Sequence, residues 1–193
     1  MNTKLLYLGF LAGSIAALSV VAQVSAKTEA PKLSSGPLIT VPSLDVARYM
    51  GTWYEIAKYA NYFQRKCVRN TRADYQLQAN GMVLVTNRCI KEDGTTDEAV
   101  GAARQIGPAS SPKLEVRFAP AWMSFLPAVW GNYWVVDLDP DYQLVAVSEP
   151  KREYLWILAR TPQVSPDAYS ALLQRLQKQG FDLQKLQLSP TTP

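Results

Sequence analysis

Few side chains in this 193-residue chain have the type and spacing for covalent or metal chemistry. There is no histidine, which removes the usual general base and the commonest metal ligand together. The two cysteines, Cys67 and Cys89, cannot close a zinc site without histidine or acidic help, so no metal is expected. In an exported protein they read as one disulfide, with a free reactive thiol as the alternative. No serine or cysteine has a histidine to activate it, and no glycine-rich phosphate loop occurs. Glu55 is the remaining candidate. It alternates with Trp53, Ala57 and Tyr59, and burial on their face would raise its pKa and make it an acid/base group. A hydrogen-bonded structural carboxylate is the rival reading. The pattern points to binding without a cofactor rather than to catalysis.

The net charge is +4. That is mild, and no basic run interleaved with aromatics stands out, so nucleic acid is not an expected partner. The first residues carry an export pattern: Lys4, a run from Leu5 to Val21 that is almost wholly apolar or small, and Val24-Ser25-Ala26. Small residues so placed are what signal peptidase needs, and residues 1–26 read as a signal peptide. An uncut membrane anchor is the alternative, although the apolar run is short for a spanning helix. Residues 27–43, rich in Pro, Ser and Thr and without periodicity, read as a flexible leader. Residues 44–190 remain, enough for one domain with a sizeable core and too few for two.

From Gly51 onward, short β-rich runs alternate with turn signals. Strands are expected at about 51–59, 68–78, 82–90, 96–106, 113–119, 131–138, 142–148 and 154–160. Asn80-Gly81, Gly107-Pro108 and Asp139-Pro140-Asp141 supply turns between them. A single helix follows, capped by Ser165, opened by Pro166 and ended by Gly180. Its Tyr169, Leu172, Leu173 and Leu176 make one apolar stripe. A short strand at about 185–188 returns to the sheet edge. The expected fold is all-β: an eight-stranded antiparallel up-and-down barrel with one C-terminal α-helix, which leaves no open edge and has room for one small ligand.

The first strand opens Gly51-Thr52-Trp53-Tyr54-Glu55-Ile56. With Asn132-Tyr133-Trp134-Val135-Val136-Asp137-Leu138-Asp139 and Tyr154-Leu155-Trp156-Ile157-Leu158-Ala159-Arg160-Thr161-Pro162, this order of motifs resembles the lipocalin family. The likeness covers about residues 44–188 and is nearest the branch of apolipoprotein D and the bacterial outer-membrane lipocalins. Topology makes one contact expected independently. Strands reverse at every turn, and an odd number of reversals separates the start of the first from the end of the eighth. Trp53 and Arg160 therefore meet at one end, where a guanidinium over an indole contributes roughly 0.5–2 kcal/mol. The resemblance implies that this end is the closed base, with Gly51, Trp53 and Arg160 structural. Cys67 and Cys89 then lie near the mouth, and a bridge closing a loop of about 23 residues would contribute roughly 3 kcal/mol.

Alternation places Leu158, Trp156 and Tyr154 on the Arg160 side, and groups Trp134 with Val136 and Leu138, and Leu114 with Val116 and Phe118. The resemblance implies that Tyr75, Trp134 and Trp156 line a cavity, and Val136, Phe118 and Glu55 are grouped with them as ligand-binding candidates. An acyl chain suits such walls: burying about twelve methylenes offers roughly 10 kcal/mol gross. The expected function is binding or transport of a lipid-like ligand, a fatty acid or lysophospholipid, in the cell envelope for membrane maintenance; an enzyme acting on a lipid in the same cavity is the alternative. The apolar connection 120–130 has three readings of equal standing: transient membrane-surface contact, burial in a homodimer, or a lid over the cavity. The outer-membrane relatives carry a lipidated cysteine after their signal, whereas no cysteine precedes Cys67 here. The expectation is an exported, soluble protein, periplasmic or secreted.

Overall fold

The structure, a computed structural model, describes residues 36–191. The expected signal peptide 1–26 and the first part of the expected leader lie outside the described residues. Within that leader, residues 36–43 are not loose. Leu38 is buried, the Val41 N–H donates to the Val135 carbonyl, and the Arg152 guanidinium donates to the Gly36 carbonyl. Polar composition hid two apolar anchors that have a wall to pack on.

Eight strands run in antiparallel succession: β1 (Gly51–Tyr59), β2 (Arg69–Leu77), β3 (Val83–Ile90), β4 (Thr96–Gln105), β5 (Lys113–Arg117), β6 (Gly131–Leu138), β7 (Leu144–Ser148) and β8 (Leu155–Ala159). Each pairs with the next, and β1 pairs with both β8 and β2, so the barrel closes. The turn at Asn80-Gly81 works as expected: Gly81 takes φ 80°, and the Gln78 N–H donates to the Met82 carbonyl. A ninth strand, β9 (Leu186–Leu188), pairs with β1 over Ala57–Tyr59, while β2 pairs with β1 only over Gly51–Tyr54. It therefore fills the seam where β1 and β2 part, and the Asn70 N–H donates to the Pro190 carbonyl just beyond it.

Among the described residues, one turn of helix precedes the barrel in addition to the expected C-terminal helix. The turn α1 (Val46–Tyr49), capped by Asp45, precedes β1 and was not expected, being too short to show a period. The expected helix is α2 (Pro166–Lys178); the Ser165 hydroxyl accepts from the Ala168 N–H, and Leu172 and Leu176 are buried. Arg175 clamps it to β6 through Asp137, with Nε and an Nη donating to the two carboxylate oxygens.

Two apolar clusters result. One fills the barrel around Trp53, Tyr75, Leu114, Val135, Val147 and Leu158. The other lies between the outer wall and α2, around Ala57, Tyr59, Val136, Ile157, Leu172 and Phe181. Which cluster a residue joins is set by β-bulges, at Glu55/Ala57 in β1 and at Val135/Asp137 in β6. An extra residue there reverses the alternation beyond it.

Candidate functional site

The site is the inner wall, and its base is closed by the expected pair. Trp53 is fully buried, its indole N–H donates to the Tyr49 carbonyl, and the Arg160 guanidinium lies 4.0 Å from its ring centroid. The same guanidinium donates to the carbonyls of Arg48, Thr52 and Tyr142. One cation thus ties α1, β1 and the β6–β7 turn together. Gly51 makes the approach possible: it sits at φ 97°, and a Cβ there would meet an Arg160 Nη at 3.2 Å.

Above the base stand three tyrosines. The Tyr133 hydroxyl is 2.7 Å from that of Tyr49 and 3.0 Å from that of Tyr75. Burial, the largest cause, pushes the Tyr75 hydroxyl up to about 12 and holds Tyr49 and Tyr133 well above the usual phenol value. All three therefore stay neutral at physiological pH.

A polar cluster occupies the same wall nearer the mouth. Cross-strand pairing sets Lys58 beside Trp156, and Glu55 beside Leu158, so both charged residues face inward. Glu55 is 2% exposed and accepts from Lys58 Nζ at 2.6 Å, from the Gln64 amide and from the Ser189 hydroxyl. The Gln64 carbonyl oxygen in turn accepts from the Trp156 indole and from Asn61. Trp156 stacks on Tyr154, and Tyr154 rests on Phe63 of the β1–β2 connection. That connection is held by the Cys67–Cys89 disulfide, with Cα atoms 5.5 Å apart, so the free-thiol alternative is excluded.

The wall is graded from floor to mouth. Leu114, Val135, Val145 and Val147 are buried, whereas Asn87, Gly101, Val116, Tyr133 and Trp156 on the same face are half-buried. Phe118, 44% exposed, leans over Gly101, where a Cβ would come within 2.7 Å of its ring.

Of the candidate ligand-binding residues, Tyr75, Trp156, Glu55 and Phe118 share this inner face. Trp134 and Val136 do not. Trp134 packs on the helix side with Lys113 Nζ 4.3 Å from its ring centroid, and Val136 is buried beneath α2. Their inward neighbours are Tyr133 and Val135. The Asn-Tyr-Trp run offers an aromatic in either phase, so alternation alone does not choose. Ala57 and Tyr59 are likewise turned outward, and Lys58 inward, by the β1 bulge. Gln64 carried no sequence signal, because its role depends on where its loop folds. Of the described residues, no group of three or more His, Cys, Asp or Glu is placed to hold a metal ion.

Comparison with known proteins agrees with this geometry. Residues 44–191 match the family described as the lipocalin-like domain. Temperature-induced lipocalin-1 of Arabidopsis thaliana is 40% identical over 152 residues, 78% of this chain and 81% of the relative. Outer membrane lipoprotein Blc of Escherichia coli K12 is 36% identical over 146 residues, 75% of this chain and 78% of Blc. Mouse apolipoprotein D is 31% identical over 194 residues, 96% of this chain and 94% of its own.

Proposed function

This chain belongs to the lipocalin family, and from that premise we propose that its barrel carries a single-chain amphiphile of the fatty acid or lysophospholipid class, in the cell envelope and in support of membrane maintenance. Lipocalins bind and transport small hydrophobic ligands. The observation that carries the finer reading is the grading of the inner wall: a packed apolar floor, then accessible aromatic and aliphatic surface at Phe118, Val116 and Trp156, with Lys58 inside the mouth. An acyl chain gains from the apolar surface by desolvation, and the Lys58–Glu55 pair with Gln64 gives the entrance polar groups suited to a head group.

The arrangement of Glu55 supports carriage over catalysis. Its carboxylate is occupied by three donors, one of them a cation, and a group so held is poorly placed to exchange protons with a substrate. The disulfide supports export to an oxidising compartment, periplasmic or extracellular. Among the described residues no helix is long and apolar enough to cross a membrane. Trp122 and Phe125 on the 120–130 connection, each 73% exposed, support transient contact with a membrane surface.

The test is organic extraction of the purified full-length protein with mass spectrometry of the extract, followed by titration of the delipidated protein with a fluorescent fatty acid. Intact co-purified acyl lipid and saturable displacement of the probe are expected. A protein that yields no lipid and leaves the probe free would sink the reading. Turnover of a bound lipid that disappears in Glu55→Gln, with binding retained, would replace carriage by catalysis.

A further inference from the structure

The connection between β5 and β6 does not cap the barrel. It folds back over the outer wall, and Trp130 fastens it: the indole N–H donates to the Ser124 carbonyl, while the guanidiniums of Arg104 and Arg117 lie 4.1 and 5.2 Å from its ring centroid. Both arginines point away from the barrel interior, because each pairs across the strands with residues of the outer face. Between the connection and the wall runs a groove of about 410 Å³. Leu84, Ala102 and Arg117 stand abreast along it on β3, β4 and β5, and Ser124 faces them.

Arg117 is unusual among the cations here. It is 8% exposed, its Nε has no hydrogen-bond partner, and one Nη donates to the Ala119 carbonyl. Among the described residues no carboxylate lies within ion-pair distance of it; the nearby Glu115 is taken by Arg104 at 2.8 Å. Arg117 thus sets a buried guanidinium against a carbonyl and an indole face. Burial of a charge without a counter-charge is costly, and an anion is the direct remedy. Ala102, its cross-strand neighbour, lines the groove beside it.

We propose that this groove is a second binding site, outside the barrel, for an oxyanion of the phosphate or carboxylate class, received by the Nε edge of Arg117. The guanidinium edge matches planar or tetrahedral oxyanions through charge-assisted hydrogen bonds. Trp122 and Phe125 stand exposed on the same connection, so the group can arrive either as a free ion or on a lipid head. The site does not depend on the barrel's ligand.

The test follows the Trp130 indole N–H resonance of the delipidated full-length protein. It is titrated separately with inorganic phosphate, with acetate, and with phosphatidylcholine vesicles with or without phosphatidylglycerol, all at matched ionic strength. Saturable shifts with phosphate or acetate identify a free-ion site. Shifts with phosphatidylglycerol vesicles alone identify a lipid-borne group. Either supports the site, provided that Arg117→Gln weakens the response on the order of tenfold and leaves fatty-acid probe binding in the barrel unchanged. If Arg117→Gln fails to fold, Arg117→Lys, which keeps the charge but lacks Nε, takes its place with the same expectation. No saturable response to any of the probes, or one that Arg117 variants leave intact, overturns the proposal.

Discussion

At the scale of single residues, neutrality matters as much as charge. Tyr49, Tyr75 and Tyr133 share hydrogen bonds inside the barrel because none of them ionises under physiological conditions. For Tyr75 the hydroxyl rises from 10.0 to about 12 on folding. Between these values the unfolded chain has lost its proton while the fold keeps it, so stability falls as pH rises. The contribution is whole below pH 10 and gone above about pH 12, roughly 2–3 kcal/mol for Tyr75. Urea midpoints measured from pH 9 upward, beside tyrosinate absorbance, are expected to show late ionisation coinciding with loss of the fold. Native tyrosines that all titrate near pH 10 would contradict this. The sequence named Tyr75 as a cavity residue by resemblance, but its hydroxyl partner Tyr133 comes from β6 and the ring beside it, Tyr49, from α1, both distant in the chain. No spacing rule links them.

At the scale of elements, two features set what the strands present. The β1 and β6 bulges decide that Lys58 and Leu138 face inward while Tyr59 and Asp137 turn toward the helix side. Strand positions and turns were legible, since Asn80-Gly81 and Ser165-Pro166 are local signals; the phase beyond a bulge was not. The second feature is the close passage of β4 and β5 at Gly101. A Cβ there would lie 2.6 Å from the Arg117 carbonyl oxygen, and main chain cannot swing aside as a side chain can. Gly101→Ala is expected to destabilise by about 1–3 kcal/mol and to displace Phe118. Calorimetry and probe affinity would check it; an unchanged midpoint would refute the packing. The Cys67–Cys89 bridge anchors the connection that carries Phe63 and Gln64, with a separation of 22 residues. Replacing both cysteines by serine is expected to cost about 3 kcal/mol and to speed probe release, measured by denaturation and stopped-flow. Equal stability and equal release would show that the connection holds itself.

At the scale of the whole molecule, closure and carriage are linked. The barrel has a fastened base, a β9 strand over its one open seam, and a helix over the wall at β6–β8. The less buried positions of the inner wall include Asn87, Gly101, Val116 and Phe118 on and beside β3 to β5. A ligand held by the folded barrel alone raises stability by mass action, about 2.7 kcal/mol at one hundred times its dissociation constant. The melting temperature of delipidated protein is therefore expected to climb with added fatty acid and to stay level with a short-chain acid. A response to both alike would argue against an acyl cavity.

The amino-acid sequence by itself determined the strand count, the C-terminal helix, the family, and the meeting of Trp53 with Arg160. These rest on residue type, local turn chemistry and the parity of chain reversals, which need no coordinates. Only the tertiary structure decided which residues pass inward after each bulge, that the 120–130 connection lies on the outer wall, and that residues 36–43 are bound. A bulge answers the twist that closure of the barrel demands, and a loop settles where partners such as Arg104 and Arg117 await it. Neither demand exists until the strands have met.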